Sequence, residues 1–425
     1  MKNRNTAAFV LIFLLTISAV VLFARPAFVQ PTPIAQQQPT NSPPELFTPV
    51  NPPSVRGRPT LQDPKVIRQR FVRADFSLLT RTRGRSLRLN LFDDVAYNVI
   101  IDSVESTSGQ TRGQSGSVQL GRIEGMPDSE VYLASRGNTL SGNIRVPDGK
   151  FYQIRSVSSG VQAVREINQA AFPPDHPPGV FKAIQKRSAT RSTRSSRTEM
   201  PFVRDAVIQV IVLYTPETLQ AAGGTDDAIA SAIALAQAET NKGFANSKIP
   251  ARLRVVASRK VDYPESGEAQ TDLDRLMNPS DGFLDDILAL RQQYRADAVS
   301  LWVSNMDACG IGSLNKSASE FRDRAFSVVS LDCATGVYSF AHELGHNLGA
   351  THDPDNSEPG EGLFPYSHGY QDPNGKFRTI MAYKTGCSGE CPRINAWSSP
   401  KGSYNGKPLG IPNRANNVQT LSQTL

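Results

Sequence analysis

Residues 337–353 read VYSFAHELGHNLGATHD, and the rest of the chain is interpreted outward from this stretch. From Tyr338 to Leu348 there is no proline and one interior glycine, so a helix is predicted. On a helix His342 and His346, four residues apart, stand nearly above one another on one face. Two imidazoles aimed at one point suit zinc, which takes histidine nitrogens at about 2.0–2.1 Å and, in catalytic sites, keeps one tetrahedral position open for water. Glu343, beside the first of them, is placed to take a proton from that water. Gly349 is predicted to end the helix, because glycine enters the left-handed conformation without penalty, and His352 then supplies a third ligand. A bare H-E-x-x-H can arise by accident on a structural helix. The full H-E-x-x-H-x-x-G-x-x-H is far more specific.

Upstream of this string the pattern alternates from Asp205. AVIQVIVLYT is a continuous β-branched apolar run, the mark of a strand buried on both faces. DDAIASAIALAQAETNKGFANS carries Ile229, Ile233, Ala236 and Thr240 at helical spacing. ARLRVVASRKVDY, FLDDILALRQQYRA and AVSLWVS continue as strand, helix and strand. The order predicts an α/β domain over 205–425 with a mixed, mainly parallel twisted sheet. CGIGSLN stands just before the helix as a candidate edge strand, or an ordinary glycine-rich loop; glycines there would let a peptide backbone come close.

The front half has a different texture. Lys2 and Arg4 precede an apolar stretch from Ala7 to Ala24, so 1–24 is expected to be a secretory signal, with a membrane anchor as the competing reading. Residues 25–64, dense in Pro and Gln, are expected to form a linker with no fold. Short alternating segments such as SLRLNLF and YNVIIDSV make 65–175 a small all-β domain. Residues 176–204, rich in Arg and Lys, are expected to be a solvated linker in which His176 is a bystander.

The formal charge of +7 is unevenly divided: from Asp205 onward 19 Lys+Arg face 25 Asp+Glu, a net of −6, and everything before carries +13. No basic patch interleaved with aromatics lies in the back half, which excludes a nucleic-acid role. The four cysteines all fall there. In an exported chain they suggest disulfides, with Cys309–Cys333 and Cys387–Cys391 expected because sequence neighbours meet most easily, although three pairings are possible. A zinc knuckle would need paired C-x2-C spacing, which is missing.

The zinc string resembles the signature of the metzincin metallopeptidases. Their tight turn carrying methionine beneath the metal is matched by FRTIMAY, with Met381. Tyr383 matches the M-x-Y pattern of branches in which a phenol ligates zinc or stabilises the oxyanion; a packed tyrosine is the alternative. Asp353, after the third histidine, resembles the reprolysin-like (adamalysin) branch, where it has a structural task. GCSGECPRINAWSSP, together with RTIMAY, is most similar to bacterial reprolysin-like enzymes, the peptidyl-Asp metallopeptidases among them.

The resemblance implies a secreted zinc endopeptidase of monomeric form, acting on proteins or peptides; an inactive binding module and a hydrolase of other amides are the competing functions. Calcium is possible without being indicated. Cutting beside acidic residues would involve Arg378 or Lys384, and His368 is expected in a loop or on the surface. No cysteine precedes Asp205, so a propeptide thiolate cannot block the metal. The β domain is then expected to act as a propeptide inhibitor, covering the cleft by bulk or by laying a strand or carboxylate along it.

Overall fold

The computed structural model describes residues 43–52, 63–79, 84, 86–107, 116–179, 205–388 and 391–425. The expected signal segment, most of the first linker and the 180–204 stretch lie outside the described residues.

The front half forms a nine-stranded antiparallel sheet: β1 Phe47–Pro49, β2 Val66–Ala74, β3 Ser86–Phe92, β4 Val95–Thr107, β5 Gly116–Ile123, β6 Met126–Arg136, β7 Thr139–Arg145, β8 Phe151–Ser158 and β9 Val161–Ile167. The order is β1-β2-β9-β8-β7-β6-β5-β4-β3. The two ends of that order meet. Leu46 N donates to Arg88 O at 2.9 Å, and Arg88 N donates to Pro44 O at 3.0 Å, so the sheet nearly closes on itself. Closure removes the exposed edges that a flat sheet would leave. Residues 44–49 had been expected to belong to an unfolded linker, and this is a correction. Composition hid a three-residue strand whose first residue Phe47, with Leu46 just before it, is buried in the barrel core.

Strand β7 and the middle of β6 are buried on both faces. In β6, Val131 and Leu133 point into the barrel, while Tyr132 and Ala134 pack outward against Leu235 and Ala238. That period of two is what lets one strand serve two cores.

The partner across this second face is the long helix Asp226–Asn246 of the back half. Thr225 caps it by accepting from Ala228 N at 3.2 Å, and Asp226 and Asp227 suit its N-terminal dipole. Its other face, with Ile229, Ile233 and Phe244, packs on a second sheet. That sheet contains β10 Ala206–Tyr214, β11 Ala251–Lys260, β12 Ala298–Val303, β13 Gly310–Gly312 and β14 Phe326–Ser330 in the order β11-β10-β12-β14-β13. All pairs are parallel except β13 with β14, so the mixed, mainly parallel architecture is present. A helix not expected from the sequence, Ala269–Met277, buries Leu273 and Leu276 against the far face, and Ile287–Tyr294 is shorter than the run read as helical.

The two halves are stitched by polar contacts as well. Arg136 pairs with Asp227 at 3.0 Å, Lys65 with Asp332, and Ser141 with Ser231 at 2.8 Å.

Candidate metal centre

The helix Ser339–Asn347 buries all nine of its residues. Beneath it sit Met381 and Trp397, so close that a Cβ on Gly345 would lie 2.5 Å from the methionine sulfur and 2.8 Å from the indole. The interior glycine of the motif is therefore a packing requirement. At the other end Gly349, with φ at +89°, turns the chain out of the helix, and Ala350 N reaches back to Gly345 O at 2.9 Å.

That turn carries His352 back over the helix. Its Nε2 lies 3.2 Å from Nε2 of His342 and 3.1 Å from Nε2 of His346. Three ligand nitrogens around a tetrahedral ion at about 2.0–2.1 Å would stand roughly 3.3 Å apart, so the donor set fits zinc. Nδ1 of His342 is 2.9 Å from Ile380 O, and Nδ1 of His346 is 2.9 Å from Ala350 O. Donation to these carbonyls fixes the tautomer and leaves both Nε2 lone pairs free for a metal. Burial keeps the imidazoles neutral, taking His342 down to about 4 and His346 and His352 well below their ordinary value.

Glu343 lies beside His342, one carboxylate oxygen within 4.8 Å of a ring nitrogen. Both carboxylate oxygens are buried without a hydrogen-bond partner, and burial, followed by the charge of Asp175, pushes the carboxyl well above its usual range. A group so costly to bury needs a partner beyond the side chains around it. The edge strand is shaped to it: a Cβ on Gly310 would lie 2.5 Å from Glu343 Oε1, and one on Gly312 3.0 Å from Oε2. CGIGSLN thus contributes the edge strand β13.

Asp353 is buried and braces the turn. Its Oδ2 accepts from Tyr383 N at 2.9 Å and its Oδ1 from Asn356 Nδ2 at 2.8 Å. His368 lies in a loop, as expected, but is buried there with Nδ1 3.0 Å from His352 O, a bracing contact at which its spacing gave no hint. The structure joins Cys309 to Cys333 and Cys387 to Cys391.

Two residues missed in the sequence complete the site. Asp175 is 2% exposed, with its carboxylate 2.6 Å from an Arg393 nitrogen, accepting from Ser339 Oγ at 2.5 Å, and 3.8 Å from His342 Nδ1. Burial alone would raise its pKa; the Arg393 charge and the hydrogen bonds outweigh that and hold it well below the carboxylate range. The chain around it runs along β13: Cys309 N donates to Pro174 O at 3.0 Å, His176 N to Gly310 O at 2.7 Å and Gly179 N to Gly312 O at 3.1 Å. His176 takes part through its backbone only; its ring Nδ1 lies 2.7 Å from Pro177 O, away from the three histidines' cluster. Tyr383 Oη donates to Asp175 O at 2.7 Å. The signal available was FPPDHPP, an acid between stiffening prolines, but nothing local says where such a segment docks.

Residues 204–398 match the family profile Reprolysin_5, metallo-peptidase family M12. A peptidyl-Asp metalloendopeptidase of Stenotrophomonas maltophilia is 38% identical over 322 residues, covering 74% of each chain. That alignment is longer than the stretch from Asp205 to the last residue, so it reaches into the front sheet. One from Xanthomonas campestris pv. campestris is 35% identical over 299 residues, 70% of this chain and 69% of its own. Among solved structures, metalloproteinase-II from Bacteroides fragilis is a distant likeness, with a TM-score of 0.38 and 12% identity over 65% of this chain and 84% of its own. The chain belongs to the M12 metallopeptidase family, alongside the peptidyl-Asp metalloendopeptidases, and is a zinc metalloendopeptidase.

Proposed function

We propose that the chain is exported as a latent precursor and, once matured, cuts proteins beside aspartate, with His342, His346 and His352 holding zinc and Glu343 as general base. The observation that carries this is the convergence of three neutral Nε2 atoms next to an unpartnered buried carboxylate. Zinc bound there would supply Lewis acidity, lowering the pKa of a water and polarising the scissile carbonyl. Glu343 accepts a proton from the attacking water and returns it to the leaving amine, and a cation beside it favours the ionised form that burial opposes. Tyr383, neutral because burial raises its pKa, donates to a carbonyl of whatever chain occupies the cleft. Met381, Gly349 and Asp353 hold the scaffold.

Cutting beside aspartate is taken from what the relatives are named for. Export rests on the 1–24 segment, and an anchored form arises only if it is kept. Residues 43–179 serve as the inhibitor, since Pro174–Gly179 fills the edge of β13 that an extended substrate needs. Release follows cleavage between Lys186 and Arg204, and the mature enzyme is a monomer.

Dialysis against a chelator tests the metal, with hydrolysis of casein expected to stop and to return with zinc. Undiminished hydrolysis in the chelated protein would overturn the assignment. Terminal sequencing of the secreted protein should find a mature start within a few residues of Asp205.

A further inference from the structure

We propose that Arg393, seconded by Arg378, is the group that reads a substrate's acidic side chain, and that Asp175 keeps the prosegment in the cleft by occupying that pocket as a resident acid. The inference rests on the reading above of an endopeptidase with a removable prosegment.

The pocket is built for an anion. Arg393 is buried, and its guanidinium spans from Val337 O, at 2.9 Å, to Asp175 Oδ2, at 2.6 Å. Arg378 is half-buried in the same region, with its enclosed Nε and Nη1 lacking any hydrogen-bond partner. Both line a cavity of about 200 Å³ shared with Phe172, Asp175, Tyr383 and Lys384. Two cations in one enclosed pocket are tolerable with a carboxylate against Arg393; without it they are not, because each raises the cost of the other. Once the prosegment leaves, the vacancy at Arg393 and Ser339 Oγ favours an incoming carboxylate.

The position suits a residue flanking the bond to be cut. One carboxylate oxygen of Asp175 and one of Glu343 lie with a His342 nitrogen within 4.8 Å of one another. Asp175 sits on the Nδ1 side of His342, whereas Nε2 faces the other two histidines, so its partner is the arginine. Its backbone meanwhile runs beside β13, between the hydrogen bonds Cys309 N to Pro174 O and His176 N to Gly310 O, the edge pairing that a bound peptide makes. Latency and specificity would then share one recognition element, and an acidic substrate competes directly with Asp175.

The test uses the full chain matured by cleavage between Lys186 and Arg204, with peptide pairs that differ only in Asp or Asn beside the cut. A site built to bind a charged group rejects the analogue lacking it, so the parent should favour Asp by about 10²-fold or more in kcat/KM. Arg393→Gln is expected to shrink that ratio to within about threefold, mainly through KM. A variant that keeps the full ratio, including one that merely loses both activities together, overturns the assignment. Should Arg393→Gln fail to fold, inhibition by the cleaved prosegment decides: Asp175→Asn should weaken it by about 30-fold or more, with Asp175→Glu recovering part of the loss. Equal inhibition by Asp175→Asn overturns the proposal. Parent enzyme that cuts Asp and Asn peptides equally sinks this inference and leaves the endopeptidase reading standing, whereas failure to cut either peptide sinks both.

Discussion

The helix Ser339–Asn347, which carries His342, and the segment Pro174–Gly179, whose Asp175 reaches it, are held in opposite ways. The helix is wholly buried, seated on Met381 and Trp397 and flanked by Phe340 against Trp302. The segment is held by three backbone hydrogen bonds to the β13 edge and by the Asp175 carboxylate, while Pro174 and Pro177 remain exposed. Burial of large apolar side chains is worth several kcal/mol at each position, and polar contacts net only about 1 kcal/mol apiece. One piece is permanent and the other can be peeled away. A latent protease needs that division between its machinery and its lock.

The sharpest way to break the comparison is to alter the permanent side without unfolding it. Glu343→Gln preserves shape and leaves the three histidines untouched, but the amide accepts no proton. Zinc content should hold at the parent level while kcat/KM falls by roughly 10²–10⁴-fold. Near-parent turnover would remove Glu343 from the reaction. A smaller effect is expected where the two sides touch: Gly310→Ala places a Cβ 2.5 Å from Glu343 Oε1, and the buried carboxylate must shift. A misplacement on that scale costs up to about 10²-fold, read as kcat in the matured enzyme. Unchanged kcat would show that the carboxylate has room to move.

The same contrast explains what could be read from the sequence. His342, Glu343, His346 and His352 are brought together by one helix and one turn, so spacing along the chain fixes their geometry. The strands of the second sheet were legible because β-branched runs such as Ala206–Tyr214 are buried on both faces. Asp175 and Arg393 are 218 residues apart and meet only through the docking of two domains, which leaves no periodic trace. The closing strand Phe47–Pro49 was masked for a similar reason: two apolar residues among prolines gain meaning only when β3 lies beside them.

The lock can be sharpened through pH. Glu239, on the helix that faces the front sheet, accepts from Asn143 Nδ2 at 2.6 Å and Gly336 N at 2.8 Å. Burial raises its carboxyl from 4.5 to about 7; those hydrogen bonds and Arg145 pull it down, and Glu130 pushes it up. Tyr132 and Tyr338 also face it, kept neutral by burial. The docked state therefore holds an extra proton between about pH 4.5 and 7. Docking is strongest at the acid end, weakens as pH rises through that window and levels off above it. The inhibition constant of the cleaved prosegment should rise by up to about seventyfold from pH 5 to pH 8. Glu239→Gln should flatten the profile, and an equally steep profile in that variant would place the titrating group elsewhere.

The smallest effect tests which side Tyr383 belongs to. Its backbone N–H is tied to Asp353 Oδ2, so Tyr383→Phe leaves the turn beneath the metal in place and removes only the hydroxyl. That hydroxyl donates to Asp175 O, the carbonyl of an extended chain already seated in the cleft. A donor that grips a ground-state carbonyl contributes uniform binding, and losing one neutral hydrogen bond of about 1 kcal/mol weakens binding roughly fivefold. Prosegment inhibition and substrate KM should both suffer by about that factor, with kcat within about twofold of the parent. A fall of about 10²–10³-fold in kcat at constant KM would instead mark the phenol as a donor to the oxyanion formed in the reaction, and would move Tyr383 from the removable lock to the permanent machinery.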